Sequence, residues 1–214
     1  MQNNAIKITE IHQEATQTIL TKLQPLIENK QKTIVTVSGE VASGKAPTSL
    51  CLGRELKQLG YAVKIIDLDD FYIVHPLKRK AWREKHGIGK VGTDEIDWKA
   101  LKGVLEAFHH NKAAKYPNID LLTDQVDFLE TSFEGIDILI IHGLYSMHIE
   151  SSDLRIFMEM TWPETLERQR ESMKEVIDDH RLQVLRREQE VVLSLKKNAD
   201  IYIDLNTALE TFHL

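Results

Sequence analysis

The sequence has little cysteine, no excess of basic residues and no long apolar run, and each absence excludes a class of protein. A single cysteine among 214 residues cannot form an internal disulfide. The N-terminus MQNNAIKITE lacks the order of basic, apolar and small residues found in secretory signals, so we expect a cytoplasmic protein. No apolar run approaches the roughly 20 residues that cross a bilayer, so we expect no membrane partner.

The charge balance and composition indicate a soluble globular protein. The formal net charge of -6 argues against a general nucleic-acid binder, because a phosphate backbone normally calls for a basic face. With 42% hydrophobic and 28% charged residues, a chain of 214 residues suits one domain, 1–214, with a buried core.

Apolar periodicity predicts alternating helices and strands. Residues 8–27 carry apolar side chains at steps of three and four, which predicts an amphipathic helix within an N-terminal covering segment, 1–30. Strands are predicted at residues 33–37, 62–68, 137–142, 154–160 and 200–205. Helices are predicted at residues 49–60, 98–108 and 163–180, the second capped by Asp97 and the third opened by Pro163. This alternation predicts an α/β fold with a mostly parallel sheet covered by helices on both faces, and ligands at the carboxyl ends of the strands.

The stretch VSGEVASGKAPTSL, residues 37–50, has the G-x-x-x-x-G-K spacing of a phosphate-binding loop. In this motif backbone N–H groups surround the nucleotide phosphates and the lysine reaches the terminal ones. The stretch lies between a predicted strand and a predicted helix, whose N-terminus favours an anion. We therefore predict nucleotide binding; the alternative is that the two glycines only form a tight turn. The predicted nucleotide-binding residues are Gly39, Glu40, Val41, Ala42, Ser43, Gly44, Lys45, Ala46 and Thr48.

The stretch DLDDFY, residues 67–72, places carboxylates directly after the second predicted strand, beside the lysine of the loop. Phosphoryl transfer to a hydroxyl needs a carboxylate that orients the acceptor and takes its proton, and acidic groups that hold Mg²⁺. Asp69 is the candidate base and a candidate Mg²⁺ ligand. The alternative is that these carboxylates only cap a helix or form a turn.

An ordered set of motifs resembles the uridine kinase and phosphoribulokinase family of P-loop small-molecule kinases. The set spans residues 33–204 and contains GEVASGKAPTSL, DLDDFY, TDEIDWKAL, PNID, DILIIHGLY and NADIYID. The resemblance implies a single three-layer P-loop NTPase domain that uses ATP and Mg²⁺. It implies that Lys45 holds the β- and γ-phosphates and that Asp69 is the base.

The same resemblance implies an acceptor pocket and a lid. Tyr72, Asp94 and Asp120 would lie in the acceptor pocket. A lid at about residues 163–190 would bring cations to the transferring phosphoryl group, with Arg168 as the candidate catalytic arginine and Arg181 as a candidate nucleotide contact beside Arg170 and Lys174. The alternative is that these are ordinary exposed charges of an amphipathic helix.

The sequence departs from the family pattern in three respects. Ala46 replaces the hydroxyl that the family uses as an Mg²⁺ ligand, and Pro47 removes a backbone N–H near the α-phosphate. His142 stands where uridine kinase relatives carry Glu, and neutral imidazole is a poor Mg²⁺ ligand. After Pro117, the segment PNIDLLTDQ lacks the aromatic residues and histidine with which such relatives grip uracil, so uridine is not the expected acceptor.

A basic run follows the candidate base. Residues 75–90 include Lys78, Arg79, Lys80, Arg83, Lys85 and Lys90. Such a run is typical of a solvated face, and the alternative is that its charge draws in an anionic acceptor. We therefore predict an ATP-dependent kinase that acts on a small metabolite, and keep as a second hypothesis a weak or inactive nucleotide-binding protein derived from a kinase scaffold.

Overall fold

The computed structural model describes residues 8–120, 123, 125–172 and 176–205. The strands are β1 (Thr33–Gly39), β2 (Val63–Asp67), β3 (Ala113–Ile119), β4 (Val126–Ser132), β5 (Ile138–His142), β6 (Leu154–Met158) and β7 (Ile201–Ile203). The helices are α1 (Glu10–Glu28), α2 (Lys45–Gln58), α3 (Pro76–His86), α4 (Trp98–His109), α5 (Leu166–Ser172) and α6 (Asp179–Lys196).

A five-stranded sheet organises the molecule. Its order is β2-β5-β1-β6-β7, and each neighbouring pair is parallel. The carboxyl ends of the strands therefore meet at one edge, where the loops after β1, β2 and β5 come together. The predicted parallel sheet is thus present.

Helices cover both faces of the sheet because alternate residues of each strand point to opposite faces. On one face Val35 and Ile140 pack in a cluster with the apolar sides of α1 and α2. On the other face Ile34 and Ile141 pack in a second cluster with α4 and α6. The three-layer α/β fold predicted from the alternation is confirmed.

One prediction of secondary structure is wrong, and one pair of strands was missed. The helix predicted over residues 163–180 is divided: α5 begins at Leu166, and α6 begins anew at Asp179, where the Asp178 side chain accepts a hydrogen bond from the Arg181 backbone N–H at 2.8 Å. The sequence analysis also missed the antiparallel hairpin of β3 and β4.

The other predicted elements agree with the structure to within a few residues, whereas α3 was not predicted. Asp97 caps α4 by accepting from the Ala100 N–H at 2.9 Å, as predicted. The strand predicted over residues 200–205 is shorter in the structure, where β7 covers Ile201–Ile203. Just before it, the Asp200 carboxylate accepts a hydrogen bond from the Arg155 backbone N–H at 2.8 Å. In the part of the chain that the structure describes, no helix has the length and apolar composition needed to span a membrane.

Candidate nucleotide and acceptor site

The loop of residues 39–45 joins β1 to α2 and forms the candidate phosphate cradle. Gly39 has φ 142° and Gly44 has φ 95°, a backbone region that residues with a Cβ rarely adopt. A Cβ on Gly39 would lie 2.6 Å from the Met158 carbonyl oxygen, so close packing also requires glycine there. Gly44 is the N-cap of α2, and the positive end of the helix dipole therefore lies at the loop.

Residues from the last third of the chain hold the outer side of the loop. The Glu40 carboxylate is only 4% exposed and accepts hydrogen bonds from the Trp162 backbone N–H at 2.7 Å and from Gln189 Nε2 at 3.0 Å. The Thr165 hydroxyl donates to the Val41 carbonyl oxygen at 2.8 Å. Because a buried carboxylate is costly without donors, these contacts fix the position of Glu40 and with it the loop.

Lys45 lies where the loop meets the acidic edge of the sheet. Its Nζ donates to the Glu40 carbonyl oxygen at 2.6 Å. Burial lowers the pKa of the Lys45 ammonium to about 8, and the carboxylates of Asp69 and Asp67, the largest charges acting on it, oppose that shift. Lys45 and Asp69 therefore lie on the same side of the sheet and interact.

The ends of β2 and β5 place Asp67 and His142 side by side in register. Asp67 Oδ1 lies 3.6 Å from His142 Nδ1. The Asp67 side chain is 45% exposed, and its partial burial, with the charge of Asp69, raises its pKa well above the usual range. Burial also lowers the pKa of His142 to about 4, so the imidazole is neutral near pH 7.

The first turn of α2 contains two of the residues that depart from the family pattern. Ala46, directly after Lys45, has no hydroxyl, and Pro47 has no backbone N–H. Thr48 is fully buried, its backbone N–H donates to the Gly44 carbonyl oxygen, and its hydroxyl lacks a hydrogen-bond partner among the described residues. In this arrangement the Thr48 hydroxyl does not replace the one absent from Ala46.

Tyr72 connects the acidic edge to residues 92–97, which we call the acceptor segment after the role implied by the resemblance. Tyr72 forms an antiparallel bridge with Ile96. The guanidinium carbon of Arg79 lies 3.7 Å from the centre of the Tyr72 ring. Burial raises the pKa of the Tyr72 phenol well above its usual value, and the charge of Asp69 acts in the same direction. Tyr72 is therefore near the candidate base.

The other two predicted acceptor residues lie in turns at this edge. Asp94 is exposed within the short turn Thr93–Glu95. Asp120 follows β3, and its Oδ1 accepts from the Thr123 N–H at 3.3 Å. The hairpin reaches the edge through Asp70, whose Oδ1 accepts from the Ile119 N–H at 2.9 Å and whose pKa burial raises to about 6.

A buried ion network links the acceptor segment to α6. The Arg83 guanidinium donates to both carboxylate oxygens of Glu95, at 2.7 and 2.9 Å, and its Nη2 lies 3.2 Å from Glu188 Oε1. Glu188 Oε2 accepts from Arg181 Nη1 at 3.1 Å. Arg83 is 4% exposed, Glu95 1% and Glu188 4%. The interpretation of residues 75–90 as one solvated basic face is therefore wrong for Arg83, which pairs inside the protein.

The candidate lid residues are placed only in part. Arg168 lies in α5, but its side chain is outside what the structure describes, and Lys174 is outside the described residues. Arg170 is exposed. Arg181 lies in the first turn of α6 with its guanidinium against Glu188, so any contact of Arg181 with a phosphate would compete with that pair.

Carboxylate oxygens are the ligands at this edge that suit Mg²⁺, whereas the Ala46 methyl group and the His142 imidazole do not. No group of three or more His, Cys, Asp or Glu side chains within the described ranges is arranged to hold a metal ion by itself. Mg²⁺ commonly takes one or two carboxylates together with substrate phosphates and water. Asp67 and Asp69 fit that pattern, with the nucleotide supplying further oxygens.

The sequence analysis missed several residues that shape the site. Trp162 and Gln189 hold Glu40, and Glu188 lies between the acceptor segment and the loop, where its charge acts on both Lys45 and Tyr72. These residues belong to no short motif. Asp67 could have been predicted as a site residue, since it belongs to the same DLDDFY stretch as Asp69.

The parallel sheet, the glycine loop before α2 and the acidic edge define a P-loop protein of the small-molecule kinase type. The chain belongs to the phosphoribulokinase / uridine kinase family, whose family model matches residues 34–203. The resemblance inferred from the motifs is thereby confirmed.

Solved kinase structures share this fold at low sequence identity. A candidate fructose transport system kinase from Silicibacter sp. has 18% identity and a TM-score of 0.63, over 92% of this chain and 99% of that one. Phosphoribulokinase from Rhodobacter spheroides has 15% identity and a TM-score of 0.60, over 81% and 70%. D-glycerate 3-kinase from Cryptococcus neoformans var. grubii has 13% identity and a TM-score of 0.60, over 92% and 96%. Such identities show the fold alone, and no curated protein matches the sequence.

Proposed function

We propose that this protein transfers the γ-phosphoryl group of ATP to a hydroxyl of a small metabolite. The observation that carries the proposal is the interaction of Lys45 with Asp69 at the carboxyl edge of the sheet, directly beside the glycine loop. This arrangement puts a phosphate-binding cation and a candidate base on the same side of one site.

In the proposed reaction Asp69 orients the acceptor hydroxyl and takes its proton. The hydroxyl oxygen forms a bond to the γ-phosphorus while the bond from that phosphorus to the β–γ bridging oxygen breaks, and ADP leaves with the electron pair. Lys45 and the N–H groups of residues 39–45 hold the phosphates. Arg168 and Arg181 remain the proposed lid cations, and Tyr72, Asp94 and Asp120 the proposed acceptor contacts.

Asp67 and Asp69 are the residues that would hold Mg²⁺ brought with the nucleotide. When bound, the ion would offset negative charge on the β- and γ-phosphates. Because Ala46 and His142 contribute no oxygen ligand, we propose that water takes the vacated coordination positions.

Phosphorus NMR of ATP with a panel of hydroxylated metabolites tests the transferase proposal directly. We expect a new phosphomonoester signal and a matching ADP signal with one class of acceptor. If only background hydrolysis is seen at every level of Mg²⁺ and Mn²⁺, the transferase proposal fails.

A second candidate function is a nucleotide-binding protein with little or no transferase activity. Ala46, Pro47 and the neutral His142 favour it, because all three reduce the contacts available to the metal or to the nucleotide. Thermal stabilisation by ATP with and without Mg²⁺ separates the two functions. Equal stabilisation without the metal supports the second function, whereas a metal-dependent increase supports the kinase.

We further propose an anionic acceptor, with Arg79 as its contact. Within the basic run, Arg83 is buried against Glu95 and Lys80 Nζ lies 2.5 Å from Asp178, whereas Arg79 stacks on Tyr72. Arg79→Met should raise KM for an anionic acceptor about tenfold, the loss of one charge-assisted contact. Lys78→Met, which changes an exposed neighbour, is the matched control, and equal effects of the two substitutions contradict the assignment.

A further inference from the structure

We propose that Glu188 and Gln189, adjacent residues of α6, are positioning residues that couple the nucleotide loop to the acceptor segment. Filling the loop would then change the backbone dynamics of residues 92–97. The inference rests on the nucleotide site of the proposed function, but it does not require that phosphoryl transfer occurs.

At the nucleotide end, the Gln189 side chain is hydrogen-bonded to the Glu40 carboxylate, so it follows any movement of Glu40. Gln189 Nε2 donates to Glu40 Oε1 at 3.0 Å, and Gln189 Oε1 accepts from the Trp162 indole N–H at 3.3 Å. The carbonyl oxygen of Glu40 accepts from Lys45 Nζ. A phosphate that draws the Lys45 ammonium away removes that bond, and the change at Glu40 is passed to Gln189 through the carboxylate.

At the acceptor end, Glu188 holds the ion pair that shapes residues 92–97. Glu188 and Glu95 bind the same guanidinium, that of Arg83. Glu95 Oε2 also accepts from the Gly92 backbone N–H at 3.2 Å, and the Gly92 carbonyl oxygen accepts from the Glu95 N–H at 3.1 Å. A shift of Glu188 therefore acts on the backbone of the acceptor segment through one shared arginine.

The helix between these two contacts is suited to transmit a displacement. Successive residues of an α-helix point about 100° apart, so Glu188 and Gln189 reach different partners from adjacent positions. Val184, Leu185 and Val192 are buried and pack one face of α6 against the protein. Because a packed helix behaves as a rigid element, a small shift of its backbone at Gln189 is carried to Glu188.

Backbone hydrogen exchange of residues 92–97, measured with and without saturating ADP, tests the coupling. In the parent protein we expect ADP to change the exchange rate of these amides at least about fivefold, the lower end of ordinary coupling between sites. Gln189→Leu should bring the ratio of the two rates close to one. Glu188→Gln should do the same, with an added loss of stability because it leaves Arg83 and Arg181 less neutralised.

Controls separate coupling from folding and from binding. Glu190→Gln changes the exposed next residue of the same helix and should keep the parent ratio. Gln189→Met replaces the leucine variant if that variant does not fold. Calorimetry with ADP confirms saturation in each protein, so the ratio is compared only at full occupancy.

The outcomes are distinct. An unchanged ratio in Gln189→Leu, or no response of residues 92–97 in an ADP-saturated parent, overturns the coupling and leaves the proposed function standing. Absence of ADP binding in the parent overturns the nucleotide site of the proposed function, and the coupling with it. Loss of the response in both α6 variants, with Glu190→Gln like the parent, supports the coupling.

Discussion

The nucleotide loop and the acidic edge face one another but are built in different ways. The loop is made of backbone, with two glycines at positive φ and with donors that hold the buried Glu40 carboxylate. The acidic edge depends on the side chains of Asp67, Asp69 and His142: burial and the charge of Asp69 raise the pKa of Asp67, and burial lowers the pKa of His142. A phosphate site built from backbone N–H groups tolerates changes of side chain, whereas a metal site loses a ligand when a coordinating side chain is replaced.

The comparison teaches where substitution is tolerated in this protein. Ala46 and Pro47 change side chains in the first turn of α2 while the turn itself is kept, and the helix still begins at Lys45. His142 occupies its place in the sheet, in register with Asp67, but brings a neutral ring to an edge that otherwise consists of carboxylates. Binding of phosphate and transfer of phosphate should therefore be separable by mutation.

Asp69→Asn should have the largest effect on the rate of product formation, and it tests the acidic edge separately from the loop. We expect the rate of product formation to fall about 10²- to 10⁴-fold, the usual contribution of a general base, while ATP affinity stays within a fewfold of the parent. Single-turnover phosphorus NMR and ATP calorimetry measure the two quantities. Glu150→Gln, an exposed carboxylate elsewhere, is the control. Equal loss of binding and turnover would mean that Asp69 is not the base.

Lys45→Met should have the next largest effect and tests the loop. Loss of one charge-assisted contact to phosphate should weaken ATP binding about 10- to 100-fold. Lys57→Met, in the last turn of the same helix, should bind ATP like the parent. Calorimetry that finds normal ATP affinity in the Lys45 variant would show that the cradle is not where the phosphates bind.

Ala46→Thr combined with His142→Glu restores oxygen ligands at both altered positions. We expect Mg²⁺ to increase ATP affinity about tenfold more in this variant than in the parent, as for one added contact to a charged group. Product formation should rise from its parental level. Thermal shifts with ATP, measured across a Mg²⁺ titration, provide the readout. An identical response to Mg²⁺ in both proteins would argue that positions 46 and 142 do not limit metal binding.

The smallest effect should come from pH. Because burial lowers the pKa of Lys45 to about 8, the empty site carries that charge below pH 8 and loses it as the pH rises through this value. ATP affinity should therefore fall by up to about tenfold between pH 7 and 9, since one pH unit beyond the pKa changes the charged fraction tenfold. In Lys45→Met this decrease should be absent, and its persistence there would assign it to another group.

The parts of the fold that the sequence predicted are those set by local pattern. The strand, loop and helix around Gly39 and Lys45 follow from glycine spacing and apolar runs, and the structure contains them as predicted. The hairpin was missed because β3 contains Pro117 and β4 is exposed along nearly its whole length, so neither shows the alternation expected of a half-buried strand.

The missed parts of the site depend on distant partners. Arg83 lies in a run of basic residues that predicts an exposed charge, yet it is buried and forms ion pairs with Glu95 and Glu188. The divided helix was missed because residues 163–180 contain no glycine and no proline after Pro163, and only the Asp178 cap marks the new start. Single-sequence patterns carry no information on which charges meet after folding.

The anchoring of Glu40 has a consequence for synthesis of the chain. Its two donors lie 122 and 149 residues further along, in the final third of the sequence. While these residues are still inside the ribosome, the glutamate has no buried partner and the turn after β1 is unsupported. Competence to capture a nucleotide should therefore arise only after Trp162 and Gln189 have emerged and folded back onto the turn.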